Sequence, residues 1–294
     1  MFLRNDDKIH IMPLMVQASV NPRTQRITRT SVVIAVLIGL AAWIYIAPPG
    51  LMGKLDAIGY AVCHRLDSHS LHIGDRQLPL CARCTGEFNA AAIALIFQAV
   101  ASPRRSRLPG RGVAAVLGGL FLAFALDGSN SYLALMKTME PGTLSGIPTL
   151  YTTNSVTRVL TGSGMGLAMA SVLYPMYSQS VWREPNPERA LSWRKFGALA
   201  GIVLLVDLGI ITESPVVLYP VAFLSALGVV ALLTIVFSIV WIMIMRQDNA
   251  FTRVGQLWLP AAAGLTLALV MILGIDLVRL GLTRTWGGFP GLQG

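Results

Sequence analysis

Charge is what this chain has least of. Only 13% of its 294 residues are Asp, Glu, Lys or Arg, about half the share usual for a soluble domain of this length. Hydrophobic residues reach 54% and mean hydropathy is +0.63. A soluble enzyme with a solvated shell is thereby excluded. Several apolar runs approach or exceed the roughly 20 residues that cross ~30 Å of hydrocarbon, so the sequence describes an integral membrane protein with little soluble mass.

Acidic residues are the scarcer sign, 14 against 23 Lys and Arg, for a net charge of +9. The excess does not point to nucleic acid. No aromatic-basic surface able to track a phosphate backbone is visible, and the cations collect in the connections between apolar runs, as positive-inside bias requires.

Other absences remove whole classes. The seventh apolar run has no lysine for a Schiff base, which excludes a rhodopsin. No H-x-E accompanies the cysteines, so a zinc deaminase is set aside. Cys84 is followed by Thr85 instead of histidine, so c-type haem attachment is not indicated. No internal repeat stands out, which weakens an inverted-repeat transporter reading. Methionine is plentiful (12 residues) but scattered, and reads as packing and lipid contact.

What is present predicts an all-α, polytopic transmembrane helix bundle. Seven spans are expected near 31–47, 85–102, 113–136, 153–175, 196–212, 216–245 and 257–277. Arg4, Lys8, Arg23, Arg26 and Arg29 make residues 1–30 a basic cytoplasmic tail. Pro48-Pro49 follows the first span where small residues would suit a peptidase, so an uncleaved signal-anchor is expected. Arg104, Arg105, Arg107 and Arg111, then Arg183, Arg189, Arg194 and Lys195, then Arg246 and Arg253 mark cytoplasmic connectors. The N-terminus is thus inside and the C-terminus outside. Residues 31–180 form a membrane domain with an extracytoplasmic loop at 50–84, and 181–294 add helices packed on the same bundle.

That loop holds all three cysteines (Cys63, Cys81, Cys84) and three of the four histidines (His64, His69, His72). A tight turn at Pro79-Leu80 would aim both sulfurs of Cys81-x-x-Cys84 at one tetrahedral ion, with Cys63 and a nearby histidine completing a Cys₃His set for zinc or another transition metal. Spacing leaves open which histidine serves. An oxidising compartment also permits a Cys81–Cys84 disulfide, and a helix starting near Cys84 would favour its thiolate for either chemistry.

Ionisable residues inside spans are costly and mark sites or buried pairs. Asp127, Arg158, Asp207 and Asp276 all fall on the side of the Cys/His loop. Asn154, Arg158, Gly162 and Gly166 share one helix face, and the glycines there allow close helix approach. Arg158 can reach Asp127 or clamp a phosphate or carboxylate. Asp127 and Asn130 offer a base or cation ligand, with Thr161 also lining the pocket. Glu87, three residues after Cys84, either moves a proton at the site or pairs with Arg83 at i, i+4.

The stretch CHRLDSHSLHIGDRQLPLCARCTG at 63–86, with Asp127-Gly128 and Thr153-Asn154 followed by Arg158 and Thr161-Gly162, resembles an uncharacterised bacterial and archaeal membrane-protein family, a domain-of-unknown-function group. The resemblance covers about 60–170. It implies a multi-pass protein of the prokaryotic cell membrane, and it favours His64 as the ligand histidine. It implies no activity. The leading expectation is an outward-facing zinc site on Cys63, His64, Cys81 and Cys84 above a polar pocket, acting on a lipid-like or exported substrate. Expected partners are membrane lipid and a small anionic or lipid-like ligand. The alternatives are a thiol-redox or quinone-linked membrane protein, and a small-solute carrier or accessory subunit of a membrane complex.

Overall fold

The computed structural model describes residues 22–139, 142 and 146–287. The expected basic tail up to residue 21, and the end of the chain from 288, lie outside them. Eight α-helices follow in order among the described residues: α1 Pro22–Ile46, α2 Leu51–Val62, α3 Ala82–Ala101, α4 Arg111–Met139, α5 Ser155–Val181, α6 Trp193–Ile211, α7 Pro215–Ile244 and α8 Trp258–Thr283. Seven of them fall on the seven expected spans. Six are long and apolar enough to cross a membrane. The seventh, α6, is 19 residues long and carries Arg194 and Lys195 in its first turn and Asp207 near its end.

The bundle is built outward from one seam. Helices α3 and α5 pack along their length; α7 flanks α3, α8 packs on α7, and α1 on α8. Helix α4 leans on α5, and α6 touches α3, α5 and α7. The central seam is close because glycine lines it. A Cβ added at Gly162 would stand 2.0 Å from the Arg83 carbonyl oxygen, and one at Gly166 2.0 Å from that of Glu87. From the other side, a Cβ at Gly86 would meet the Val159 carbonyl at 2.3 Å. Backbone therefore lies on backbone, the small-residue packing used where no hydrophobic effect drives helices together.

Helix α3 runs from the cysteines at one end to the basic connectors at the other. There β3 Arg105–Arg107 pairs in parallel with β4 Asn186–Arg189. Arg104 donates to the Thr252 carbonyl at 3.0 Å and stacks over Trp182, and Trp182 bridges to Phe251. Three connectors that are distant in sequence thus meet at one end of the bundle.

The segment expected as a loop over 50–84 is mostly ordered. Helix α2 occupies 51–62 and buries Leu55, Ile58 and Tyr60. A hairpin follows, β1 Ser70–Ile73 against β2 Arg76–Cys81. Its turn is at Gly74-Asp75, where Gly74 takes φ +60, the geometry that suits glycine in a two-residue hairpin. Pro79 and Leu80 lie inside β2 and form no turn. Leu71, Leu78 and Leu80 bury themselves against α2 and the first turns of α7, so this cap belongs to the core.

Candidate metal centre and its polar surroundings

Each sulfur is held by a different end of a regular element. Cys63 closes α2, its N–H bonding to the Gly59 carbonyl at 2.8 Å. Cys81 ends β2 and caps the N-terminus of α3, and Cys84 lies in the first turn of α3, where the helix dipole favours a thiolate. The two sequence-distant parts meet because Gly59 touches Pro79: a Cβ at Gly59 would stand 1.9 Å from the Pro79 oxygen.

The three Sγ atoms lie within 4.8 Å of one another, and no disulfide joins them. Sulfurs sharing a tetrahedral ion at ~2.3 Å would stand roughly 3.8 Å apart. Cys63 Sγ also accepts the N–H groups of Arg65 at 3.4 Å and Cys81 at 3.3 Å. Arg65 reaches that position in a left-handed conformation, φ 52. Amide donors aimed at sulfur stabilise its anionic form.

Hydrogen bonds from the Cys81 and Cys84 thiols hold the Cys63 thiol well below its ordinary range, with His64 adding to the effect and burial opposing it. The same bond to Cys63 pushes Cys81 up to about 12. The cluster therefore carries one settled thiolate and keeps a proton on Cys81 at neutral pH. A buried set of soft donors with one charge already in place suits zinc or a similar ion. Because the ion must displace the Cys81 proton, affinity rises with pH. It is expected to climb at least about tenfold per unit between pH 6 and 8, read by competition with a chromophoric chelator. A flat profile would show that the cysteines do not ligate.

His64 is not in the group that the sulfurs form. Its ring lies beside Cys63 and edge-on to His69, centroids 5.8 Å apart. Burial, with Arg158 and then His64 and Arg83 nearby, lowers His69 to about 4, so its imidazole is neutral. His72 pairs with Asp67 at 2.9 Å on the exposed rim, away from the sulfurs.

Two expected pairings are replaced. Arg83 is not bonded to Glu87 but to Asp127 on α4, donating to it from Nε at 3.1 Å and from Nη2. Tyr151 O–H at 2.6 Å and Thr161 O–H at 3.2 Å complete the shell of Asp127. A carboxylate so committed anchors helices and is not an available base. Glu87 in turn makes no hydrogen bond or ion pair among the described residues. Arg158 does not reach Asp127. It donates to Thr153 Oγ1 at 3.0 Å, to Ser131 Oγ at 3.4 Å and to the Ser68 carbonyl at 3.4 Å, and its Nε has no hydrogen-bond partner among the described residues. It is 6% exposed, a guanidinium surrounded by neutral oxygens.

Asn130 and Asn154 have structural partners. Asn130 bonds the Tyr151 carbonyl at 2.8 Å and accepts the Leu150 N–H at 2.7 Å. Asn154 caps α5 in a capping box with Thr157. Asp207 accepts from Ser163 at 2.7 Å, directly behind Gly86. Asp276 lies one turn before Arg279 on α8, its carboxylate oxygens buried without a hydrogen bond. All four intramembrane charges expected on the cysteine side are at that end.

Sequence reading missed the residue that fixes Cys63. Arg279, on the last helix, donates to the carbonyls of Tyr60 and Cys63 at 2.5 Å each and of His64 at 3.1 Å, and lies 4.0 Å over the Tyr60 ring. It closes the C-terminal carbonyls of α2. Arg65 adds a tie to Asp56 at 3.1 Å and to the Trp286 carbonyl at 2.9 Å. The signal in the sequence was a lone guanidinium in an apolar run, but not its target.

The fold and its charges define a multi-pass α-helical membrane protein with a three-cysteine cluster able to hold a metal ion. Residues 63–172 match the model of a family described as predicted membrane protein (DUF2085), which bears out the resemblance carried by the Cys-His and Cys-x-Arg-Cys elements. The match opens on Cys63 and closes within α5, so it holds all three sulfurs, Arg83, Asp127 and Arg158. No curated protein and no solved structure matches the chain.

Proposed function

We propose that this is a protein of the prokaryotic cell membrane whose outward end binds zinc, or another transition metal, on Cys63, Cys81 and Cys84, and acts there on a lipid-like or exported substrate bearing an anionic group. The observation that carries the reading is the convergence of three unbridged sulfurs within 4.8 Å. The basic connectors that meet at the opposite end of α3 support this outward placement of the cysteines. Three protein ligands leave a fourth position for a non-protein ligand, the arrangement of catalytic sites.

An ion so placed supplies Lewis acidity, and the chain's own side chains do the rest. Glu87, uncommitted and close enough to Cys63 to feel its charge, holds or moves a proton at the substrate. Arg158 turns an unsatisfied Nε toward an anion. His64 bonds to Cys63 and acts as an outer partner, not as a ligand.

Elemental analysis of the full chain in mild detergent should find about one metal ion per chain. His64→Ala is expected to keep that ion with affinity lowered about 10–100-fold. Metal-free protein whose three thiols all react with alkylating agent overturns the reading. The low Cys63 thiol also favours thiol exchange, and alkylation before and after reduction separates the two: protection that only reductant removes would mark a disulfide.

A further inference from the structure

Helix α4 packs on α5 but stands apart from α7, and the gap leaves a recess of about 810 Å³. Its floor is α3 and α5, its walls are α4 and α7, and α6 contributes nothing to it. At one end are Val62, the neighbour of Cys63, and Glu87; at the other are Leu108 and Pro109, in the connector beyond α3. Glu87 is the one polar side chain of the lining. Along α5 the recess runs from Met165 to Met176, eleven residues or ~16 Å at 1.5 Å per residue. It is long, narrow and apolar, with a carboxyl group at one end beside the sulfurs.

We propose that this groove binds the long apolar chain of an amphiphile and presents its head group to Glu87 and the sulfur centre. A compact solute would leave most of the length unfilled, whereas a linear chain covers it. Met165, Met169 and Met176 line the α5 wall, and their unbranched side chains adapt to chains of different saturation or branching. Bilayer lipid wets every outward apolar face, including those of α1 and α8. The groove differs in being recessed between four helices and in ending on an ionisable group with no hydrogen-bond or ion-pair partner among the described residues. The head group's fate rests on the proposed metal reading, but occupancy of the groove does not.

Gly118 and Gly119 allow a direct test, since a Cβ at either meets nothing within 4 Å and only Gly118 lines the groove. The full chain in mild detergent is incubated with a fatty acid carrying a photoactivatable diazirine near its chain end, irradiated and mapped by peptide mass spectrometry. Adducts should concentrate on the α5 methionines and the facing α4 and α7 residues. Gly118→Trp, which fills the groove, should reduce them about tenfold, and Gly119→Trp should leave them unchanged. Adducts spread equally over α1 and α8, or labelling of Gly118→Trp equal to wild type, would overturn the proposal. Metal content measured on the same samples separates the two ideas. A metal-loaded chain with an unlabelled groove removes the groove alone, and a labelled groove in metal-free protein leaves it standing while removing the zinc reading.

Discussion

Cys81→Ser is expected to lose its metal ion. A structural zinc site contributes about 10–16 kcal/mol of binding free energy at neutral pH. Spread over four coordination positions, that is about 2.5–4 kcal/mol for each, or roughly 70- to 900-fold in affinity for one ligand removed. A serine hydroxyl is a harder donor that holds its proton far more tightly than a thiol, so it offers a neutral oxygen and does not replace a thiolate. Cys81 also joins β2 to α3, so loss of the ion loosens the hairpin, and the melting temperature falls with metal content. Cys63→Ala should be the more damaging change, because Cys63 Sγ also accepts the Arg65 and Cys81 amides, which a methyl group would leave buried and unsatisfied. Elemental analysis and thermal unfolding in the same detergent read both effects. Wild-type metal content in Cys81→Ser would place the ion elsewhere or nowhere.

Gly162→Ala is expected to disrupt the central seam severely. The added carbon would stand 2.0 Å from the Arg83 oxygen, so α3 and α5 must part by more than 1 Å. Overpacking a rigid backbone contact costs about 3 kcal/mol or more. The damage would extend beyond stability. Parting α3 from α5 moves Arg83 away from Asp127 and Cys84 away from Cys63, so metal retention falls together with the melting temperature. Gly119→Ala is the matched control: the site is open, and alanine's helix propensity favours it by up to about 1 kcal/mol. If the two variants melt together and both keep metal, the close seam does not hold the centre in place.

Hydropathy made the spans legible because lipid admits few alternatives to a long apolar helix. Of the seven spans that hydropathy marks, six are long and apolar enough to cross a membrane, and the alternation of apolar runs with basic connectors put Asp127, Arg158, Asp207 and Asp276 at one end. The cap was misread for a physical reason. Lys54 and Asp56 give α2 a polar look, yet Leu55, Ile58 and Tyr60 face inward, and a twelve-residue helix is too short to show as a span. The hairpin did leave a trace: Leu71 and Ile73, then Leu78 and Leu80, alternate around Gly74-Asp75. Pro79 argues against a strand by local rules and is tolerated in β2, which pairs on one side only.

Partner choice was the least legible part. Local spacing offers Glu87 to Arg83, but tertiary packing brings α4 close enough for Asp127 to take it, and so leaves Glu87 uncommitted. Arg158 is buried as its place in an apolar run implies, and of its two expected roles the pairing with Asp127 gives way to neutral oxygens from Ser68, Ser131 and Thr153. Spacing placed the three sulfurs in one segment, and the way they are held depends on contacts no local pattern records.

Arg279 has a consequence for how independent the matched segment is. Residues 63–172 contain all three cysteines, yet the guanidinium that secures the Tyr60, Cys63 and His64 carbonyls arrives from more than a hundred residues downstream. An excised 63–172 polypeptide would have neither that clasp nor the helix α2 that it closes. In this chain the final helix is therefore a fastening for the first cysteine, and trimming it away would be felt at the opposite end of the sequence.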